Sequence, residues 1–369
     1  MPVALHLPER GDCCAFPKVL AHAGEDAQPL AGASSPDLEQ LPQGLLSSRR
    51  TLAKGRMQAA MASLQAHLAV WILKWRTKRR LKHCRDYRLA REILRPLPYK
   101  PPAAVRITNA SLNGVPGEWV ESPSSSQDML LLYLHGGGYF ACSAETHRPI
   151  TAFFAMHGFR VFAPDYRLAP ENPFPAAVDD AAAAYRGLLS GDRSRQGIVV
   201  AGDSAGGALA LSLVLALRAA GSPLPPAAAL FSPWTDLAAT GESVRTNARR
   251  CAIFHGPAIA PTARLYLAKA DPRDPLASPL YADLSGLPPL LIHVGANETL
   301  RDDSTRLAEK ARAAAVSVEL KVWPVVPHVW QLAPHKIPEA RQSLCESAEF
   351  LRRHVAGVNS AGRELGRRA

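Results

Sequence analysis

Gly202-Asp203-Ser204-Ala205-Gly206 sets a serine between small residues, directly after the apolar run Ile198-Val199-Val200 and ahead of a helical pattern. A strand, a sharp turn and a helix lift such a hydroxyl clear of its surroundings, and the small flanking residues let strand and helix approach closely. A hydroxyl is a poor nucleophile until a base takes its proton. Histidine is the suitable base, and for a serine in this setting it is expected late in the chain. His328, His335 and His354 follow the last apolar run. His328 stands directly after it, in Pro327-His328-Val329-Trp330, whereas His335 and His354 read as surface histidines.

The base in turn needs a carboxylate to hold its ring and to stabilise the imidazolium. The apolar run Leu290–Val294 opens into a loop with Glu298, Asp302 and Asp303 all within reach. Glu298 comes first and is the expected partner. Asp302 and Asp303 are expected to cap a helix over Thr305–Ala315 from its N-terminal side. Upstream, His135-Gly136-Gly137-Gly138 follows the run Leu130–Leu134. Such a loop can aim backbone N–H groups at one point, where they stabilise the oxyanion of acyl transfer. The N–H groups of Gly136, Gly137 and Ala205 are the expected donors.

These residues need a frame. Short apolar runs at Met129–Leu134, Arg160–Ala163, Ile198–Ala201, Ala227–Phe231, Leu290–Val294 and Val318–Val322 alternate with helical stretches such as Ala176–Leu189, Ala205–Ala220 and Thr305–Ala315. Runs apolar throughout suit strands covered on both faces. Their alternation with helices predicts an α/β fold with a mostly parallel sheet. Val105–Thr108 and Trp119–Glu121 flank Asn113-Gly114 and Pro116-Gly117 and read as a hairpin.

Two segments lie outside this rhythm. Met57, Met61, Leu64, Leu68, Trp71 (or Ile72) and Trp75 recur at spacings of three and four, one apolar face of a helix. That face is expected to bury itself against the active-site edge of the sheet. Residues 237–270 exceed what a single crossover needs and read as an inserted lid. The expected organisation is an N-terminal disordered extension over 1–48, cap helices over 49–98, a catalytic core over 99–236 and 271–356 interrupted by the 237–270 cap insertion, and a flexible tail over 357–369.

Composition narrows the alternatives. With 369 residues, 47% of them hydrophobic, the chain can bury one large core beside a smaller unit. Six cysteines at 13, 14, 84, 142, 251 and 345 show neither a zinc-ribbon nor a redox-pair spacing. A reduced, cytoplasmic setting without metal is expected, and Pro8, Glu9 and Arg10 interrupt any secretory h-region. The net charge of +11 concentrates between Lys74 and Arg91, where nine basic residues face Asp86 alone. Without stacking aromatics or a nucleic-acid motif, this block reads as a solvated helix face. Neither nucleic acid nor a membrane is an expected partner, and homo-oligomerisation is left open.

The glycine loop and the serine elbow, with Tyr166-Arg167-Leu168-Ala169-Pro170-Glu171-Asn172-Pro173-Phe174-Pro175 between them, resemble the hormone-sensitive-lipase family of bacterial esterases. Ser232-Pro233-Trp234-Thr235-Asp236 and Pro327-His328-Val329-Trp330 fit the same resemblance, which covers roughly residues 51–355. It implies an α/β-hydrolase fold with an eight-stranded core and a helical cap. It also implies cofactor-free hydrolysis of short- to medium-chain acyl esters through Ser204, His328 and Glu298. The run from Glu298 to Asp303 resembles members that act on lactones, which keeps lactone hydrolysis as the alternative. A receptor without activity on the same fold would have lost the histidine that stands here as His328. The sequence departs from the family in three places: Glu298 where Asp is usual, Cys142 where Gly is usual, and Cys251 where Asp is frequent. Arg167 and Glu171 are expected to support the elbow structurally.

Overall fold

The computed structural model describes residues 62–95, 98–190 and 197–368, with side chains described through residue 356. The extension read over 1–48, and Met57 and Met61 of the apolar stripe, lie outside the described residues.

In chain order come α1 (Leu64–Leu73), a π-helical turn (Lys74–Lys78), α2 (Arg79–His83) and α3 (Tyr87–Leu94), then β1 (Arg106–Leu112), β2 (Val115–Glu121) and β3 (Leu130–Leu134). There follow α4 (Arg148–Met156), β4 (Arg160–Pro164), α5 (Ala176–Leu189), β5 (Ile198–Asp203), α6 (Ala205–Ala219) and β6 (Ala228–Phe231). The insertion carries α7 (Ser243–Thr246) and α8 (Ile259–Leu267), and the chain closes with β7 (Leu290–Gly295), α9 (Arg301–Ala313), β8 (Val318–Trp323) and α10 (Pro338–Arg368).

The strands form one eight-stranded sheet in the order β1-β2-β4-β3-β5-β6-β7-β8. β1–β2 and β2–β4 are antiparallel, and every pairing from β4 through β8 is parallel. β3, β5, β6 and β7 are buried at every residue, as their unbroken apolar runs require. Alternation divides them between two layers: Leu132, Val200, Leu230 and Ile292, one from each central strand, share a core with α5, α6 and α9. α4 and α10 pack together elsewhere on the sheet.

The hairpin turns at Asn113 and Gly114, both at positive φ (47° and 85°). Pro116 and Gly117, read as part of the turn, instead lie inside β2. Gly117 allows that strand to run flush against β4, since a Cβ there would meet the Ala163 carbonyl and Pro164. α10 continues to Arg368 through the stretch read as a flexible tail. A helix already nucleated by a packed N-terminal part propagates at little cost per residue.

The apolar stripe of α1 departs from expectation. Leu64, Leu68, Trp71, Ile72 and Trp75 are exposed, while Ala66 is fully buried beside Trp323, Val326, Trp330, Ile337 and Ala340. Ser63 fixes this orientation: its Oγ accepts the Ala66 N–H at 3.1 Å, and its own N–H and hydroxyl donate to Glu339 of α10 at 2.6 and 2.8 Å. The helix therefore docks through its small residues, which allow close approach, and turns its large ones outward.

Candidate active site

Ser204 sits between β5 and α6 with φ 52° and ψ −120°, a strained positive-φ conformation held from both sides. Its N–H donates to Phe231 O at 2.8 Å, and its carbonyl accepts the Trp234 N–H at 2.9 Å. The flanking glycine is needed for space: a Cβ at Gly206 would overlap the carbonyl oxygens of Leu134 and His135. The loop that ends β3 is thus pressed against the start of α6.

Of the three candidate histidines, His328 alone reaches Ser204. The Ser204 hydroxyl donates to His328 Nε2 at 2.9 Å, and the His328 Nδ1–H donates to Glu298 Oε2 at 2.5 Å. His335 lies beside the Tyr99 ring, and His354 bonds within α10 to Phe350 O. Glu298 is 1% exposed, and its second oxygen accepts the Ser232 hydroxyl at 2.7 Å and the Gly295 N–H at 2.6 Å. A carboxylate so bonded has little freedom to turn away from the ring. Asn247 of the insertion secures the same loop by donating Nδ2 to Ala296 O and Glu298 O at 3.0 and 2.9 Å.

Asp302 and Asp303 do not precede a helix at Thr305. α9 begins at Arg301, so both stand in its first turn. Asp303 is buried, and its Oδ2 accepts the N–H groups of Thr235 and Asp236, each at 2.9 Å. Burial, with the Asp236 charge nearby, raises its carboxyl well above the ordinary value. Asp302 accepts the Ser243 N–H at 2.7 Å and so ties α7 to the same turn. Both acids connect segments around the site and neither contacts His328.

The glycine loop differs from its sequence reading at one donor. The Gly136 N–H donates to Asp203 Oδ1 at 3.0 Å, so it is engaged within the protein and is not available to an oxyanion. Gly137 and Gly138 line the cavity in front of Ser204. The N–H groups of Gly137, Gly138 and Ala205 meet no acceptor among the described residues. Asp203, the elbow residue that sequence reasoning passed over, also accepts the Tyr133 hydroxyl at 2.7 Å and faces His147 Nε2 at 3.3 Å. Burial opposes its charge, but His147, Tyr133 and His135 outweigh that cost and hold its carboxyl below the ordinary value. An acid beside the serine whose side chain can point back toward the preceding loop was the available signal.

The run from Tyr166 to Pro175 supports this arrangement from outside. The Tyr166 hydroxyl donates to His135 O at 2.7 Å, and its ring stacks on that of His135 with centroids 4.2 Å apart. Arg167 pairs with Asp180 of α5 at 2.7 Å rather than near the elbow, and Glu171 pairs with Arg91 of α3 at 2.6 Å. Cys142 adopts φ 72°, the left-handed region where glycine is at ease. Burial, then the nearby Asp203 charge, pushes its thiol up to about 12.

The cavity over Ser204 encloses about 200 Å³. Leu81, Ala90 and Leu94 of the N-terminal helices and Phe254 and Ile259 of the insertion close it from above, mainly with apolar atoms. The Phe254 ring meets the His328 ring edge-on, with centroids 4.9 Å apart. The two segments that sequence rhythm set apart therefore cover one opening.

A family profile described as the alpha/beta hydrolase fold matches residues 131–332. An acetyl-hydrolase of Streptomyces hygroscopicus is 45% identical over 236 residues, spanning 64% of this chain and 79% of its own. An esterase of Acinetobacter venetianus is 38% identical over 261 residues, spanning 70% and 85%. Among solved structures, an esterase from the bacterial hormone-sensitive lipase family superposes with a TM-score of 0.76 at 41% identity, covering 80% of this chain and 99% of that one.

Proposed function

The chain belongs to the hormone-sensitive-lipase family of α/β-hydrolases and is a carboxylic ester hydrolase, and from that premise we propose that it cleaves short- to medium-chain acyl esters through Ser204, His328 and Glu298. The observation that carries this reading is the continuous hydrogen-bonded line from the Ser204 hydroxyl through His328 to Glu298, at 2.9 and 2.5 Å.

In the proposed mechanism Glu298 accepts from His328 Nδ1–H and so leaves Nε2 free as an acceptor. His328 takes the Ser204 proton as Oγ attacks the ester carbonyl. The carbonyl oxygen, now negative, takes hydrogen bonds from the N–H groups of Gly137, Gly138 and Ala205. Each such donor lowers the barrier by about 3 kcal/mol, the scale found when one is removed from a serine hydrolase. His328 then gives its proton to the leaving alcohol. A water that loses its proton to the same nitrogen attacks the acyl-enzyme, and the acid departs with Ser204 restored. No cofactor enters any of these steps.

The cavity supports the proposed size of the acyl group. About 200 Å³ lies below the roughly 300–1,000 Å³ of pockets that enclose drug-sized ligands. Its walls of Leu, Ala and Phe favour an apolar chain of limited length.

Ser204→Ala tests the reading. It is expected to lower kcat by several orders of magnitude, because such groups act as a unit, and to abolish labelling by an organophosphonate. Labelling at another serine in the variant would refute it. A p-nitrophenyl ester series from acetyl to palmitoyl is expected to show kcat/KM falling once the acyl chain outgrows the cavity.

A further inference from the structure

α1 and the turns after it carry one exposed strip whose chemistry changes along its length. Leu64, Leu68, Trp71 and Trp75 are 84%, 55%, 64% and 59% exposed, with Ile72 beside them. Arg76, Arg79, Arg80, Lys82 and Arg85 are exposed beyond them. None of these five cations has a carboxylate partner among the described residues. The π-helical turn at Lys74–Lys78 changes the phase of the helix between the two halves. It also turns Lys78 inward, where Nζ donates to Ala248 O and Cys251 O at 2.6 and 2.7 Å. The strip is thereby fastened to the insertion from behind, and its other cations are left outward.

We propose that this strip is a docking surface for an anionic lipid bilayer. Acyl chains match the Leu and Trp half, since an in-plane helix buries its apolar side chains at the headgroup boundary and Trp favours that depth. Acidic headgroups match the basic half. A second copy of the chain fits poorly, because a two-fold contact centred on this strip would lay the basic half of each copy on the apolar half of the other and bury cations that have no carboxylate partner there. The sequence expectation of no membrane partner read the basic block as a solvated helix face, and it did not count on the large apolar side chains that the structure exposes beside that block. Docking here is peripheral: no described helix is long and apolar enough to cross a membrane. The basic end reaches the active site, since Leu81 and Lys82 line the same cavity as Ser204. The docking surface stands on the strip alone. Only its consequence, a cavity mouth held at the lipid surface, rests on the hydrolase reading.

The test is co-sedimentation of the full chain with sucrose-loaded vesicles, either of phosphatidylcholine or of phosphatidylcholine and phosphatidylglycerol at three to one. The chain is expected to sediment with the anionic vesicles and at least about tenfold less with the zwitterionic ones. Binding is expected to fall steeply with added salt, because charge attraction is screened beyond about 10 Å at 0.1 M. Trp71→Gln with Trp75→Gln, and separately Arg76→Glu with Arg79→Glu, are each expected to weaken partition by about tenfold or more. Hydrolysis of a water-soluble acetyl ester is expected to stay at the unmodified rate in both variants, which also reports that they fold. Failure to sediment with anionic vesicles, or equal sedimentation with both kinds, would overturn the proposal. So would light scattering that shows a dimer dissociated by the Trp substitutions. Loss of ester hydrolysis in the unmodified chain would strike the function proposed above and leave vesicle binding untouched.

Discussion

The Gly136 N–H donates to Asp203 Oδ1 at 3.0 Å, and that bond ties the glycine loop to the strand end that carries Ser204. The loop and the elbow come from different strands, β3 and β5, paired in parallel through Leu134 and Gly202. Beyond the sheet, this side chain joins the Gly206 packing and the Tyr166 hydroxyl in setting their relative position.

Asp203→Asn keeps the size of the side chain and removes its charge. A hydrogen bond to a charged group contributes about 1.5–3 kcal/mol, so kcat is expected to fall by about 10- to 100-fold. KM is expected to change little and phosphonate labelling of Ser204 to persist, since the bond between Ser204 and His328 is untouched. Steady-state kinetics on p-nitrophenyl acetate checks the split. A rise in KM with unchanged kcat would remove Asp203 from the positioning of the loop.

Glu298→Gln is expected to lower kcat by roughly 10³- to 10⁴-fold, the scale of an acid-to-amide change at the same place in a serine protease. Asp303→Ala offers the contrast. It leaves the buried N–H groups of Thr235 and Asp236 without their acceptor, at about 1–3 kcal/mol for each unsatisfied group. Its melting temperature is expected to drop by several degrees while the kcat of the folded fraction stays within about tenfold. A dead Asp303→Ala enzyme beside an active Glu298→Gln one would reverse the assignment.

Acid is expected to destabilise the fold early. His293 is buried on β7, and burial, with Lys321 nearby, lowers its pKa from 6.5 to about 3. Its Nδ1 meets the Ser343 hydroxyl at 2.8 Å, and Glu346, 3.6 Å from Nε2, is already paired with Lys321 at 2.6 Å. The folded pKa lies below the unfolded one, so the folded state resists protonation. Stability from this group is complete above pH 6.5 and is lost as pH falls toward 3, by up to about 1.4 kcal/mol per pH unit. Melting temperatures from pH 7 down to pH 4 are expected to fall less steeply for His293→Gln than for the unmodified chain.

Arg91 joins the N-terminal helices to the core. It donates to Phe140 O and Ala169 O at 2.5 and 2.9 Å and pairs with Glu171 at 2.6 Å. Arg91→Ala is expected to loosen α3, whose Ala90 and Leu94 wall the cavity. KM for a butyryl ester is expected to rise by about 3- to 10-fold, with kcat less affected. Glu171→Gln is expected to do far less, because an exposed ion pair contributes only about 0–1 kcal/mol.

The parallel strands were legible because burial on both faces writes an unbroken apolar run, as at Ile198–Val200. Ser204, His328 and Glu298 could be singled out because each follows the end of such a run. The choice among Gly136, Gly137 and Gly138 was not legible, since three identical residues differ only in what folds against them, and Asp203 claims the first. The orientation of α1 failed for a related reason. A period of three and four reports that a helix has two unlike faces, not which one finds a partner. Ala66 found a close-packed site beside Trp330, and Trp71 did not. Asp302 and Asp303 belong to the N-terminal end of this helix, as the sequence suggests, but α9 begins at Arg301 and not at Thr305, before its apolar periodicity starts.

Ser204, Glu298 and His328 stand at the ends of three different strands, 124 residues apart from serine to histidine along the chain. No fragment of the polypeptide holds the constellation, and closing a loop of that span costs entropy that only the finished sheet returns. With the triad proposed above, turnover is expected to report on the last stage of folding. During refolding from denaturant, helical signal from local segments is expected to recover first. Ester hydrolysis should recover only when β8 has joined β7 and brought His328 into place. A chain still short of Pro327 would carry the elbow and glycine-loop residues without the proposed base and is expected to be inert.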